Sequence, residues 1–309
     1  MSRAFVFPGQ GAQTVGMGRE LAETYPAARA VFEQVDDALG EKLSALIWEG
    51  EAADLTLTAN AQPALMATSL AALRAMEVEG VSVRDAAFVA GHSLGEYSAL
   101  AAAGALEISD AARLLRIRGR AMQEAVPVGE GAMAALLGLD FATAETVAEE
   151  AAESEVCQAA NDNDPAQVVV SGHRAAVERA VELAKAKGAK RAVLLPVSAP
   201  FHCALMQPAA DAMADALADV ALKAPDVPLV ANVRAEAVQD PEEIRALLVS
   251  QVTGVVRWRE SVVWMADQGV TSFWEIGAGK ALSGMIRRIA KGTETRNFAT
   301  AQDVAALRD

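Results

Sequence analysis

The chain has 309 residues, 52% of them hydrophobic and 22% charged, and 27 Lys+Arg against 41 Asp+Glu leave a formal net charge of -14. So acidic a polypeptide has no overall attraction for nucleic acid phosphates or anionic lipid, and so apolar a one is no disordered segment. Cys157 and Cys203 make neither a disulfide framework nor a zinc cluster and fit a reducing cytoplasm, while the scattered His92, His173 and His202 form no ligand pair, so no metal is expected.

Short apolar or β-branched runs alternate with alanine-rich stretches of helical pattern, which predicts an α/β protein. Residues 4–7 read as a first strand, stopped by Pro8 and Gly9. That stop comes too early for a signal-peptide core and no later apolar run reaches about 18 residues, so neither export nor a membrane span is expected. Residues 18–73 are mostly helical by pattern. A second strand, 86–90, runs straight into Gly91-His92-Ser93-Leu94-Gly95 and then a helix, 96–103. Asp110 reads as the cap of a helix reaching Glu124, and Pro127-Val128-Gly129 breaks the pattern.

Residues 131–197 then alternate as strand, helix, strand, strand, helix, strand, the order of a ferredoxin-like split βαβ unit. The expected organisation is a small domain, 129–197, inserted into a larger α/β domain built from 1–128 and 198–309, with a cleft between them. Helices at 207–220, 242–251, 258–269 and 280–290 and strands at 227–232 and 271–276 complete the reading.

The pentapeptide around Ser93 is a GxSxG sequence between a predicted strand and a predicted helix. Its glycines permit a tight turn that lifts the serine hydroxyl to a helix N-terminus, where N–H groups stabilise an oxyanion and the Leu94 amide is the natural first donor. A serine needs a base at neutral pH. His92 adjoins Ser93 and should point elsewhere, and His173 opens a surface helix. His202 stands in a Pro-punctuated loop where the chain re-enters the larger domain, a place from which to meet Ser93. No motif marks an acid to orient it. Gly9-Gln10-Gly11 fails the dinucleotide fingerprint because Thr14 takes the third glycine position, and Gly277-Ala278-Gly279-Lys280 fails likewise. The loop after the first strand is read instead as lending a backbone N–H to the oxyanion hole.

FVFPGQGAQ at the N-terminus, GHSLGEYSAL around Ser93, RIRG at Arg118, the segment from Asn163 to Gly172, SAPFH at His202 and QVTGVVRW from Gln251 together resemble the malonyl-CoA:acyl carrier protein transacylases of bacterial fatty acid synthesis, in order over nearly the whole chain. The resemblance implies an α/β-hydrolase-like core with a ferredoxin-like insert. It implies that Ser93 is acylated, that His202 is its base and that the Gln10 and Leu94 amides form the oxyanion hole. Arg118 would bind the malonyl carboxylate, the Gln251 backbone carbonyl would orient the histidine, and Asn161 and Asn163 would line the cleft. Malonyl-CoA and acyl carrier protein are then the substrates, with no cofactor, and such enzymes are typically monomeric. Cys203 replaces a usual serine and Val255 a usual proline; neither removes a named role. A serine hydrolase and a non-catalytic carrier-binding module are the competing readings.

Three basic runs, 113–120, 185–191 and 287–291, contain no acid. Such runs read either as solvated helix faces or, for some of their residues and excepting Arg118, as a docking zone for carrier protein and CoA phosphates around the cleft mouth.

Overall fold

The structure, a computed structural model, describes residues 2–308. Strand β1 (Ser2–Phe7) feeds alternate side chains to two cores: Phe5 and Phe7 enter one, Ala4 and Val6 the other. A strand buried on both faces belongs inside a parallel sheet covered by helices on each side. That sheet contains β2 (Phe88–Gly91) and, after the smaller sheet formed by β3 (Gly131–Leu137), β4 (Cys157–Asp164), β5 (Gln167–His173) and β6 (Arg191–Leu194), also β7 (Leu229–Val230), β8 (Ala237–Val238), β9 (Val270–Ile276) and β10 (Glu294–Phe298). Its order is β10-β9-β1-β2-β7-β8, parallel except that β8 runs antiparallel to β7. The second sheet, β4-β5-β3-β6, is antiparallel throughout. The protein is therefore α/β, with a mainly parallel sheet and a separate antiparallel one.

The register Phe7↔Gly91 makes β1 and β2 end side by side, so the loop from Pro8 and the turn at His92 leave the sheet as neighbours. Asn232, two residues past β7, leaves at the same edge. The chain steps from β1 toward β2 on one side and receives β9 on the other. Carboxyl ends at such a switch point are where open α/β sheets place their sites.

Residues 18–73 resolve into the helices Arg19–Thr24, Pro26–Leu39, Leu43–Glu49, Ala52–Thr56 and the first part of Thr58–Val78. Thr58–Val78 is buried nearly all round, as its alanines on every face allow. Helix Ile108–Glu124 packs against it through Gly119, where a Cβ would lie 2.6 Å from the Ala59 Cα. The expected cap at Asp110 is corrected: Glu107 takes that position and Asp110 lies in the first turn, because Ile108 is already held in the core. The strand expected over 191–197 ends at Leu194, before Pro196, which has no N–H for a ladder. The strand expected over 227–232 contracts to β7, two residues.

The small sheet presents Met133, Ala135 and Val169 to the main core and Ala134, Leu136, Val168 and Val170 to its own helices, Phe141–Ala152 and Arg174–Ala186. Its edge strand β4 meets the rest of the protein. The Asp162 N–H donates to the Val256 carbonyl at 2.9 Å and the Val256 N–H to that of Ala160 at 2.9 Å. Among the described residues no helix is long and apolar enough to cross a membrane.

Candidate active site

Gly91 and Gly95 let the chain turn from β2 into helix Gly95–Ala102 within four residues. A Cβ on Gly91 would lie 1.9 Å from the Gly95 carbonyl, and one on Gly95 would lie 2.3 Å from the Phe7 carbonyl oxygen. Only glycine fits such approaches. Between them Ser93 adopts φ 53, a left-handed conformation costing a non-glycine residue about 1–2 kcal/mol. Its hydroxyl is thereby raised at the start of a helix, as the motif predicts.

Ser93 Oγ is 2.7 Å from His202 Nε2, and His202 Nδ1 is 2.9 Å from the Gln251 carbonyl oxygen. A carbonyl only accepts, so Nδ1 carries the proton and Nε2 keeps its lone pair toward the serine. His202 also sits at positive φ, 57, and is 4% exposed. Burial, with the Arg118 charge as the second cause, drops its pKa to about 3, so the ring is neutral at ordinary pH.

The third group on the serine oxygen is Arg118, which donates from Nη2 at 3.2 Å. Its other acceptors are neutral: Gln62 Oε1 at 2.8 Å and Gln251 Oε1 at 2.8 Å. The guanidinium is 1% exposed, and its Nε–H has no acceptor among the described residues. Burial lowers its pKa from the ordinary arginine value, with Tyr97 and Glu96 opposing. A buried cation whose direct partners are all neutral is suited to an anionic group arriving with the substrate.

Gln10 follows β1, in a loop held against the elbow: a Cβ on Gly9 would lie 2.7 Å from the His92 carbonyl oxygen. Leu94 is the N-cap residue of helix Gly95–Ala102. Neither the Gln10 nor the Leu94 N–H has an intramolecular acceptor among the described residues, which leaves both available to an oxyanion. Asn163 reaches the site from β4, its Oδ1 2.8 Å from His92 Nε2; His92 thus points away from Ser93 toward the small sheet. Asn161 is buried on the same strand, bridged in parallel to Val256. Of the eight residues singled out in the sequence, Ser93, His202, Arg118 and Gln251 are joined by direct contacts, Gln10 and Leu94 lie in the loop and turn beside them, and Asn161 and Asn163 lie on β4.

Sequence reasoning missed Gln62, Glu96 and Asn232. Glu96 lies inside the GHSLGEYSAL segment, which could have flagged it; Gln62 and Asn232 carry no motif. Glu96 Oε2 accepts from Gln251 Nε2 at 2.7 Å and from the Asn232 N–H at 3.2 Å. Burial raises its carboxyl pKa to about 7 against the opposing pull of those donors and of Arg118.

The Cys203 Sγ–H donates to the Pro200 carbonyl at 3.2 Å, and burial raises its thiol pKa, so it is no thiolate nucleophile. His173 accepts the Val156 N–H within the small sheet, far from Ser93 in role. No cluster of three or more potential metal ligands occurs among the described residues. In the basic run at 185–191, Lys185 and Lys187 pair with Glu182 and Glu150. Arg113 likewise pairs with Asp110 on its own helix, and Arg288 with Asp164, which is distant in sequence.

Comparison with known proteins identifies the family. Residues 4–306 match the family model described as acyl transferase domain. The malonyl CoA-acyl carrier protein transacylase of Escherichia coli (strain K12) is 50% identical over 286 residues, 93% of this chain and 92% of the relative. A crystal structure of acyl-carrier-protein-S-malonyltransferase from Bartonella henselae superposes with a TM-score of 0.97 at 60% identity, covering 100% of this chain and 99% of that one. A malonyl-transacylase solved in complex with a type II PKS acyl-carrier protein superposes with a TM-score of 0.96 at 41% identity, covering 99% of each chain. With a serine elbow, a neutral histidine and a buried arginine meeting at one hydroxyl, and with likeness of this extent, the chain is an acyltransferase and belongs to the malonyl CoA-acyl carrier protein transacylase family.

Proposed function

We propose that the protein transfers a malonyl group from malonyl-CoA to the phosphopantetheine thiol of acyl carrier protein, by a ping-pong reaction through a malonyl ester of Ser93. The observation that carries this reading is the convergence of His202 Nε2 and Arg118 Nη2 on Ser93 Oγ, at 2.7 and 3.2 Å. Ser93 attacks the thioester carbonyl as its proton passes to His202. The oxyanion is held by the Gln10 and Leu94 N–H groups, and its collapse expels CoA with that proton. The carrier thiol then gives its proton to His202 and attacks the ester, and the proton returns to Ser93 as the oxygen leaves. The Gln251 carbonyl holds the imidazole in one tautomer throughout. Arg118 binds the malonyl carboxylate and selects for it, because an uncharged acyl group leaves the guanidinium unpaired. Asn161 and Asn163 line the cleft.

The names of the relatives and the carrier complex of one neighbour support malonyl-CoA and acyl carrier protein as substrates. The order β4-β5-β3-β6 supports describing residues 129–197 as a ferredoxin-like domain inserted in an α/β-hydrolase-like one, 1–128 and 198–309. We place the protein in the cytoplasm as a monomer that needs no cofactor. Mixing it with malonyl-CoA and then with acyl carrier protein, and weighing enzyme, carrier and free acid, tests the reading. Malonyl should appear on the enzyme and then on the carrier. Release of free malonate instead identifies a hydrolase, and carrier binding with no adduct identifies a docking module.

A further inference from the structure

Ser93 is held in its left-handed conformation by side chains far away in sequence. Asn232 braces both sides of the turn: its Oδ1 accepts the Ser93 N–H at 2.8 Å, and its Nδ2 donates to the Gly91 carbonyl at 2.7 Å. Gln251 Nε2 donates to the Ser93 carbonyl at 2.9 Å. The serine N–H is therefore fixed by a side chain, and its carbonyl by a side chain together with the Glu96 N–H, which donates to it at 3.0 Å in the first turn of the helix. Behind them, Glu96 Oε2 accepts from Gln251 Nε2 at 2.7 Å and from the Asn232 N–H at 3.2 Å. Glu96, Asn232 and Gln251 are each no more than 1% exposed.

In both of these contacts Glu96 Oε2 is the acceptor. Glu96 thus dictates which way the Gln251 amide faces. With Nε2 drawn toward Glu96 and the Ser93 carbonyl, Oε1 is left toward Arg118, which it meets at 2.8 Å. The same residue's backbone carbonyl holds His202. One carboxylate outside the reacting groups therefore orders the attachments of serine, histidine and arginine together. The acyl-transfer steps use neither Glu96 nor Asn232.

We propose that Asn232 and Glu96 are positioning residues, which clamp Ser93 in the backbone conformation required for acylation and fix the sense of the Gln251 amide. The proposal rests on Ser93 being the acylated nucleophile. The cost of loosening the clamp falls on the reaction rather than on binding, because a small misplacement of a nucleophile slows attack without removing substrate contacts.

The test is single-turnover malonylation by rapid quench and intact-protein mass spectrometry, with peptide mapping of the adduct. Asn232→Ala and Glu96→Gln should each lower the maximal acylation rate about a hundredfold and leave the half-saturating malonyl-CoA concentration within about threefold. All folded molecules should still be acylated in the end. Unchanged rates overturn the clamp, as does a loss confined to the fraction of enzyme that reacts, which marks a merely structural role. Glu96→Gln keeps volume and an acceptor and carries the test alone if Asn232→Ala does not fold. Acylation of the wild type elsewhere than Ser93 overturns the nucleophile assignment and the clamp with it. Acylation of Ser93 at equal rates in all three proteins overturns the clamp alone.

Discussion

Arg118 and Ser93 are in direct contact, Nη2 to Oγ, at 3.2 Å. The group that would recognise the substrate's carboxylate thus touches the oxygen that would attack its thioester, so recognition and attack share one small volume. Arg118→Ala should reduce kcat/KM for malonyl-CoA by about a hundredfold or more, the equivalent of two charge-assisted hydrogen bonds of about 1.5 kcal/mol each. Arg118→Lys should recover little of this, because a point charge does not reproduce the fork. Kinetics with malonyl-CoA and acetyl-CoA in parallel check it; a malonyl preference retained in Arg118→Ala removes arginine from the specificity argument.

His202 and Glu96 give stability opposite dependences on pH. The histidine's folded pKa of about 3 lies below its ordinary 6.5. Its contribution is therefore whole above pH 6.5 and drains as pH falls toward 3. Glu96, raised from 4.5 to about 7, contributes fully below 4.5 and loses that contribution as pH rises through 7. Urea unfolding from pH 7.5 down to 4.5 should accordingly narrow the stability advantage of wild type over His202→Gln. Over the same interval it should widen that of wild type over Glu96→Gln. Parallel curves for wild type and both variants would contradict the assigned directions.

At the seam between the sheets, Asp162 is paired with Arg259 at 2.8 Å, the carboxylate side chain 1% exposed and the guanidinium 31%. Arg259→Ala should destabilise the fold by about 2–3 kcal/mol, because it strands a buried carboxylate, and Asp162→Ala added to it should restore part of the loss. A double-mutant cycle in urea checks this. Strict additivity of the two losses would mean that the pair is not coupled.

Gly91→Ala should lower Tm by more than about 6 °C, if the protein folds at all, because the added Cβ meets backbone rather than a movable side chain. Gly80→Ala is the control: it also departs from glycine, at φ +87, but meets nothing within 4 Å, so its cost should stay near the backbone term of about 1–2 kcal/mol. Equal melting temperatures for the two variants would refute the close-approach account of the elbow.

The elbow serine, the loop histidine and the strand-helix alternation were legible because each has a local signature: glycine spacing, proline punctuation, periodicity. The residues that hold them were not. Gln62 stands between Ala61 and Pro63 in a helix whose burial only tertiary packing reveals, and a glutamine there reads as surface. Asn232 follows a strand of two residues, too short to show a period. Strand β10, ETRNF, was missed because an edge strand with charged residues and little burial lacks the alternation that marks a strand, and the helix Ala301–Ala305 is too short to have a helical one. The ion pairs of Lys187 with Glu150 and of Arg288 with Asp164 join residues far apart in the chain, so the charge runs overstated the free basic surface.

Strand β4 has register shifts between Ala159 and Asn161 and between Asp162 and Asp164, and the residues from Asn161 to Asp164 are buried one after another instead of alternating. An unprotected edge strand is a template on which another chain can add itself. Here the edge is closed: its ladder continues into Val256, and its acids are engaged by Arg259 and Arg288. The irregularity that brings Asn163 to His92 therefore also guards against edge-to-edge aggregation, and restoring a regular pleat to β4 would endanger solubility as well as that contact.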